Sequence, residues 1–403
     1  MDDQDGFVVV NSYEANPDDT PVPKKIPVSQ ELWESFFDGD GRIVQESRLR
    51  KCVFENGVEA SLRKDIWKYL LGYFPFHTTY LEREIIQKQL KVEYQALKSH
   101  WKATLEPTTS NPAMLDLDSD EDPQMAFMKL QAMLNAQRLS IKEADAVAFI
   151  RLIKKDVPRT DRKVEYFAGD ENPHLVWLHD ILTTFAIVHP DVGYVQGMND
   201  ILSMILFVMD DEADAYNCFC GYMKAIHQEF ASDGIVDQLT QLSKLLSLAD
   251  NELFSHFGSI EAGDFFFCHR WILLSFKREF AFLDAIRLFE ILSSHHLELS
   301  STEAHRTRNL EKRKEKEKAL GEEDANPGDD AAWWAEHQYK FGFFICLAVF
   351  KIYRARFMAC GDVAAVYALI NSLVETMDVD YILFTAERVF FEFCRMSAHK
   401  ELL

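Results

Sequence analysis

The sequence predicts an all-α protein: a single large multi-helix domain with two polar loop insertions, preceded by a disordered acidic tail. Three observations predict it. Apolar residues recur at three–four spacing, as in Val363, Val366, Leu369, Ile370 and Leu373, which marks one helix face. After Pro190 the only proline is Pro327, and long proline-free blocks suit stacked helices. No convincing alternating strand or Asn-Gly hairpin stands out.

The elements follow in order. Residues 1–27 hold four of the twelve prolines and no basic residue before Lys24, a composition that buries too little apolar surface to offset the entropy of ordering. Residues 28–56 form a pre-domain segment, residues 57–395 the domain, and 396–403 a C-terminal end. Within Gly57–Gly72, Arg63, Trp67 and Leu70–Leu71 lie one and two turns apart on one helix face, and Gly72 ends that helix. The first insertion, near 104–122, is polar and carries Asp116, Asp118, Asp120, Glu121 and Asp122. Phe149, Ile150 and Ile153 continue an apolar helix face. Pro158 disfavours helical geometry at Val157, so the helix ends by Asp156 and leaves Arg159 just past it, aimed outward.

Gly193 and Gly197 bracket a tight turn that presents Gln196, with Tyr194 as packing support and Asn199 or Asp200 as cap of the next helix. Leu239, Leu242, Leu245 and Leu246 mark one later helix, and Leu283, Ile286, Phe289 and Leu292 another that includes Glu290. The second insertion, near 300–332, runs from a basic block (Arg306 to Lys318) to an acidic end with Pro327-Gly328.

Composition narrows the function. With 43 Lys+Arg against 65 Asp+Glu the formal charge is −22, which argues against a nucleic-acid binder and against unaided docking on anionic lipid. The longest apolar runs, near 201–209 and 341–350, are about half the ~20 residues a membrane span needs. Seven scattered cysteines and an acidic start (MDDQDG) point to a reduced, cytoplasmic setting. No phosphate loop, nucleophile elbow or metal-binding H-E-x-x-H occurs, and neither Cys218-Phe219-Cys220 nor His295-His296 has zinc spacing, so no metal is expected. Taken residue by residue, Arg63 reads as a paired arginine on a core helix, Arg159 as solvated or salt-bridged, and Gln196 as a solvated turn residue.

Their order says more. R-x-x-x-W-x-x-L-L-G at Arg63–Gly72, I-x-x-D-x-x-R at Ile153–Arg159 and Y-x-Q-G-M at Tyr194–Met198 together resemble the TBC domain of Rab GTPase-activating proteins. Phe267-Cys268-His269-Arg270-Trp271 and Phe276-Lys277-Arg278-Glu279-Phe280 extend the resemblance, which covers roughly residues 57–395. The cues LLGYFP and KDVPRTDR look most like members fifteen, sixteen and seventeen of that family. One departure is Phe289-Glu290, where the family commonly has Trp before the acid, and both insertions are longer than the family suggests.

The resemblance implies that Arg159 is an arginine finger and Gln196 a glutamine finger, both supplied in trans to a GTP-loaded Rab. It also implies that Arg63, Trp67 and Asp156 hold the finger loops, with Asp156 paired to Arg159 or to Arg63. Tyr194, Gly197, Met198 and Asn199 would shape the glutamine loop. On that implication the protein is a GTPase activator in vesicle and endosome traffic rather than a stand-alone enzyme, and magnesium and GTP belong to the partner. The tail residues Phe7 and Val10, with acids upstream, resemble a motif that adds a strand to autophagy ubiquitin-like proteins. Such binding would recruit the protein to endosomal or autophagic membranes. The competing reading is a non-catalytic scaffold for a Rab or an autophagy factor.

Overall fold

A computed structural model describes residues 25–105, 122–230, 232–298 and 339–400. Phe7, Val10, the acidic run of the first insertion up to Glu121 and all of the second insertion lie outside the described residues. Among those described, helices dominate and β-structure is limited to two isolated bridges, Val28 with Val58 and Phe37 with Ile43. The all-α expectation holds.

In chain order the helices are α1 (Gln30–Glu34), α2 (Glu46–Asn56), α3 (Arg63–Leu70), α4 (Tyr80–Leu105), α5 (Pro123–Gln137) and α6 (Glu143–Asp156). Next come α7 (Pro173–Val188), α8 (Met198–Met209), α9 (Glu212–Ile226), α10 (Ser232–Ala249), α11 (Asn251–Ser259) and α12 (His269–Leu273). The last are α13 (Phe282–Ser293), α14 (Phe341–Ile352), α15 (Arg354–Met358), α16 (Val363–Leu373) and α17 (Val379–Lys400). They fall into two compact units. One comprises Val28–Glu46 and the described residues of Val58–Gly234, the other Ser47–Gly57 and the described residues from Ile235 onward, with Lys25–Pro27.

In the first unit α7 is the central element. Asn172 caps it by accepting from the His174 N–H at 2.8 Å, Pro173 occupies its first turn, and Ile181 to Ile187 are buried throughout. It packs against α4, α6, α8 and α9, and α3 packs on α8. α8 is buried from Met198 to Leu206, as its apolar sequence requires. α9 approaches the end of α3 so closely that a Cβ on Gly221 would sit 2.0 Å from the Leu71 carbonyl oxygen. This contact explains a glycine inside a helix, where its conformational freedom is otherwise a cost.

Buried charge in this unit is paired. Lys68 meets Asp214 at 2.7 Å, and the Tyr73 hydroxyl donates to the same carboxylate at 3.0 Å. Asp180 on α7 is held by Lys98 at 2.9 Å and Lys102 at 2.6 Å, both from α4. Burial pushes the Asp180 carboxyl up, but His179 and the two ammonium groups outweigh it and hold it down at about 2.

The second unit rests on aromatic packing. Phe257 meets Phe265 at 5.6 Å, Phe350 at 5.5 Å and Phe357 at 5.8 Å between ring centroids, and α14 packs along α17. Arg270 grips the buried Glu279 with two hydrogen bonds of 2.6 and 3.0 Å. Burial still pushes that carboxyl above its ordinary value. The α13 face differs from the expected one. Leu283, in the first turn, is exposed while Ala285, Ile286, Leu288, Phe289 and Glu290 are buried. Phe289 fills the core position where the resemblance leads one to expect Trp.

Candidate functional site

The two loops singled out from the sequence belong to the first unit and are stitched to each other. α6 ends at Asp156, as Pro158 requires, and the chain turns through a single 3-10 turn, Val157–Arg159. That turn leaves the Arg159 side chain 61% exposed. The second loop descends from α7 through Gly193, whose φ of +63 and position against the Phe149 ring of α6 leave no room for a Cβ. It then exposes Gln196 and enters α8.

The start of α8 corrects one expectation. Neither Asn199 nor Asp200 occupies the cap position. Gly197 does, with φ +109, a backbone conformation that favours glycine, and the helix begins at Met198. The Asn199 side chain serves the same end from inside the first turn, its Oδ1 accepting the Gly197 N–H at 3.2 Å.

A buried polar cluster joins the loops. Asp156 is the pivot: one carboxylate oxygen accepts from the Arg159 guanidinium, the other from the Tyr194 hydroxyl at 2.7 Å. The Tyr194 hydroxyl also lies 3.2 Å from Asn199 Oδ1. Asn199 Nδ2 donates to the Thr160 hydroxyl at 3.0 Å, and that hydroxyl donates to the Asp156 backbone carbonyl at 2.9 Å. Burial first, and the Asp156 carboxylate second, push the Tyr194 phenol well above its ordinary value, so it keeps the proton it donates. Of the two partners open to Asp156, Arg159 is the one it holds.

The other expected site residues belong to the same unit. Met198 is buried and its sulfur lies 3.4 Å from the Val195 N–H. Trp67 is buried and Arg63 half-buried on α3, the helix that packs on α8. Thr160 is the member that sequence reasoning missed. It is 3% exposed and links both loops, yet a threonine after an arginine carries no signal of its own. Among the described residues no group of three or more His, Cys, Asp or Glu is placed to hold a metal ion. No described helix is long and apolar enough to cross a membrane.

Chemically, the cluster presents one guanidinium and one carboxamide to solvent from loops fixed by buried hydrogen bonds. A guanidinium is a planar donor fork suited to phosphate oxygens, and a carboxamide can accept from a water while donating elsewhere.

The chain is similar to known proteins in sequence and in fold. Residues 60–304 match the model of the Rab-GTPase-TBC domain. The chain is 38% identical over 273 residues to mouse TBC1 domain family member 25, covering 67% of this chain and 32% of that protein. It is 35% identical over 289 residues to mouse TBC1 domain family member 17, covering 71% and 40%. It thus spans only about a third to two fifths of these relatives' length. Its fold is similar to the crystal structure of the Ypt/Rab-GAP domain of Gyp1p, with TM-score 0.61 and 19% identity over 90% of this chain and 96% of that one.

Proposed function

This chain belongs to the Rab-GTPase-TBC domain family, and from that premise we propose that it accelerates GTP hydrolysis on a Rab-type GTPase by lending it Arg159 and Gln196. The observation that carries the proposal is that both side chains are exposed on loops locked together by Asp156, Tyr194, Thr160 and Asn199.

Phosphoryl transfer needs positioning and charge stabilisation more than covalent chemistry. Arg159 would neutralise charge on the γ-phosphoryl oxygens. Gln196 would accept from the attacking water and orient it. An arginine supplied in trans is worth ~10³–10⁵ in rate, about 4–7 kcal/mol of barrier. At rest the exposed Arg159 guanidinium is paired with the buried Asp156 carboxylate, which keeps its Tyr194 hydrogen bond when the guanidinium is redirected. Magnesium and nucleotide belong to the GTPase. The same family membership supports a role in vesicle traffic. The tail pattern at Phe7 and Val10 is the basis for proposing a docking strip for autophagy ubiquitin-like proteins.

The test is single-turnover GTP hydrolysis across a Rab panel. Arg159→Ala and Arg159→Lys should abolish stimulation in a protein that still folds, and Gln196→Ala should lower it several-fold or more. Stimulation unchanged by both Arg159 variants would remove the arginine from the mechanism. Rab binding with no stimulation by the wild-type protein would favour the scaffold reading instead.

A further inference from the structure

The chain is strongly acidic, yet the stretch leading into the Arg159 turn is basic: Arg151, Lys154 and Lys155 on α6, then Lys163 beyond the turn. Arg151, Lys154 and Lys155 stand at i, i+3 and i+4 and so share one helix face. All four side chains are exposed, and none forms an ion pair among the described residues. Elsewhere in the same unit Lys68, Lys91, Lys98 and Lys102 are matched with carboxylates, whereas Lys64 and Lys142 form no ion pair among the described residues. Two exposed apolar side chains, Val147 and Leu152, flank the basic face at 46% exposure each.

Lysines in a last helical turn do favour the helix dipole, but that is worth only about 0.3–1 kcal/mol at exposed positions and gives no reason for Arg151 or Lys163. Apolar residues beside unpaired charge of one sign, bordering a reactive arginine, have the makeup of a docking surface.

We infer that this α6 face is the electrostatic docking surface for the GTPase, and that it selects partners carrying an acidic face beside their nucleotide. The inference rests on the reading of Arg159 given above. In a molecule whose overall charge repels acidic partners, a local cationic strip turns the approach toward the finger. The bound triphosphate adds to the attraction. Steering of this kind raises association rates by about 10–10³-fold and fades as salt rises.

The experiment uses the Rab that responds best in the panel, with kcat and KM measured across ionic strength. The double variant Lys154→Glu/Lys155→Glu should lose at least ~10-fold in kcat/KM at low salt, with the loss carried by KM and a flattened salt dependence. Lys142→Glu, about 20 Å away at the other end of α6, should leave both values unchanged. Thermal melts establish that each variant is folded. If Arg159→Ala abolishes stimulation while the double variant keeps wild-type kcat/KM and salt dependence, the docking inference fails and the activator reading stands. If Lys142→Glu matches the double variant, the effect is one of net charge and the strip has no special role. If the double variant instead loses only its binding to phosphatidylserine-containing vesicles, the strip is a membrane contact and the inference is overturned. A panel with no responder overturns both readings.

Discussion

The Asn199 amide donates to the Thr160 hydroxyl at 3.0 Å, joining two positions 39 residues apart in sequence and fixing the glutamine loop to the arginine loop. Neither residue is exposed, and neither has a reactive group of its own. Their effect is exerted through the groups they hold in place.

Thr160→Val tests that link. The substitution keeps the shape but strands the Asn199 amide and the Asp156 carbonyl, which should cost about 1–3 kcal/mol of stability. Stimulated kcat should fall about 10-fold while Thr160→Ser stays near wild type. Denaturant titration with an unchanged m-value, beside single-turnover rates, checks both parts. Full activity in the valine variant would separate the two loops functionally.

Asp156→Asn addresses the pivot. An amide cannot accept from Arg159 and Tyr194 as a carboxylate does, so the finger loses its anchor at one end. The expected loss is about 10-fold in kcat with KM nearly unchanged, the pattern of an interaction that matters in the transition state. A rise in KM at constant kcat would mean that Asp156 serves partner binding instead.

Gly221→Ala should destabilise the first unit by about 1–3 kcal/mol, because the added Cβ would lie 2.0 Å from the Leu71 carbonyl oxygen, a backbone atom with little room to retreat. A lowered melting temperature with kcat intact in the folded fraction is the expected result. A neutral effect on stability would show that α9 and the end of α3 can separate freely.

Acid stability follows from Asp180. Its carboxyl is held at about 2 in the folded protein, below its ordinary 3.8, so the stabilisation is complete above the unfolded value and disappears as pH falls through the folded one. The contribution is about 2 kcal/mol. Asp180→Asn should therefore reduce stability at neutral pH and flatten its dependence on pH between about 4 and 2. An unflattened curve would assign the acid transition to other carboxylates.

Helix positions were legible because burial on one face imposes a three–four spacing, and Trp67, Ile153 and Leu369 all lie buried as that spacing requires. The two exposed side chains were legible only through motif order, since an arginine after a helix and a glutamine in a turn are ordinary solvated residues when taken singly. Partnerships across long sequence separations were not legible. Nothing near Lys68 announces that Asp214 will neutralise it, and nothing near Thr160 announces Asn199. The cap of α8 was misplaced because a left-handed glycine began the helix before the first residue with a capping side chain. In α13, Leu283 fitted the apolar period but lies exposed in the first turn, where no neighbouring element is required to cover it by that period alone.

The coupling of the loops also bears on transplantation. An engineer who grafted only a protruding arginine and a neighbouring carboxamide onto an unrelated bundle would obtain two wandering side chains. Keeping their two loops joined means carrying over the interior knot of aspartate, tyrosine, threonine and asparagine as one cassette, together with the glycines that let the segments of that knot meet.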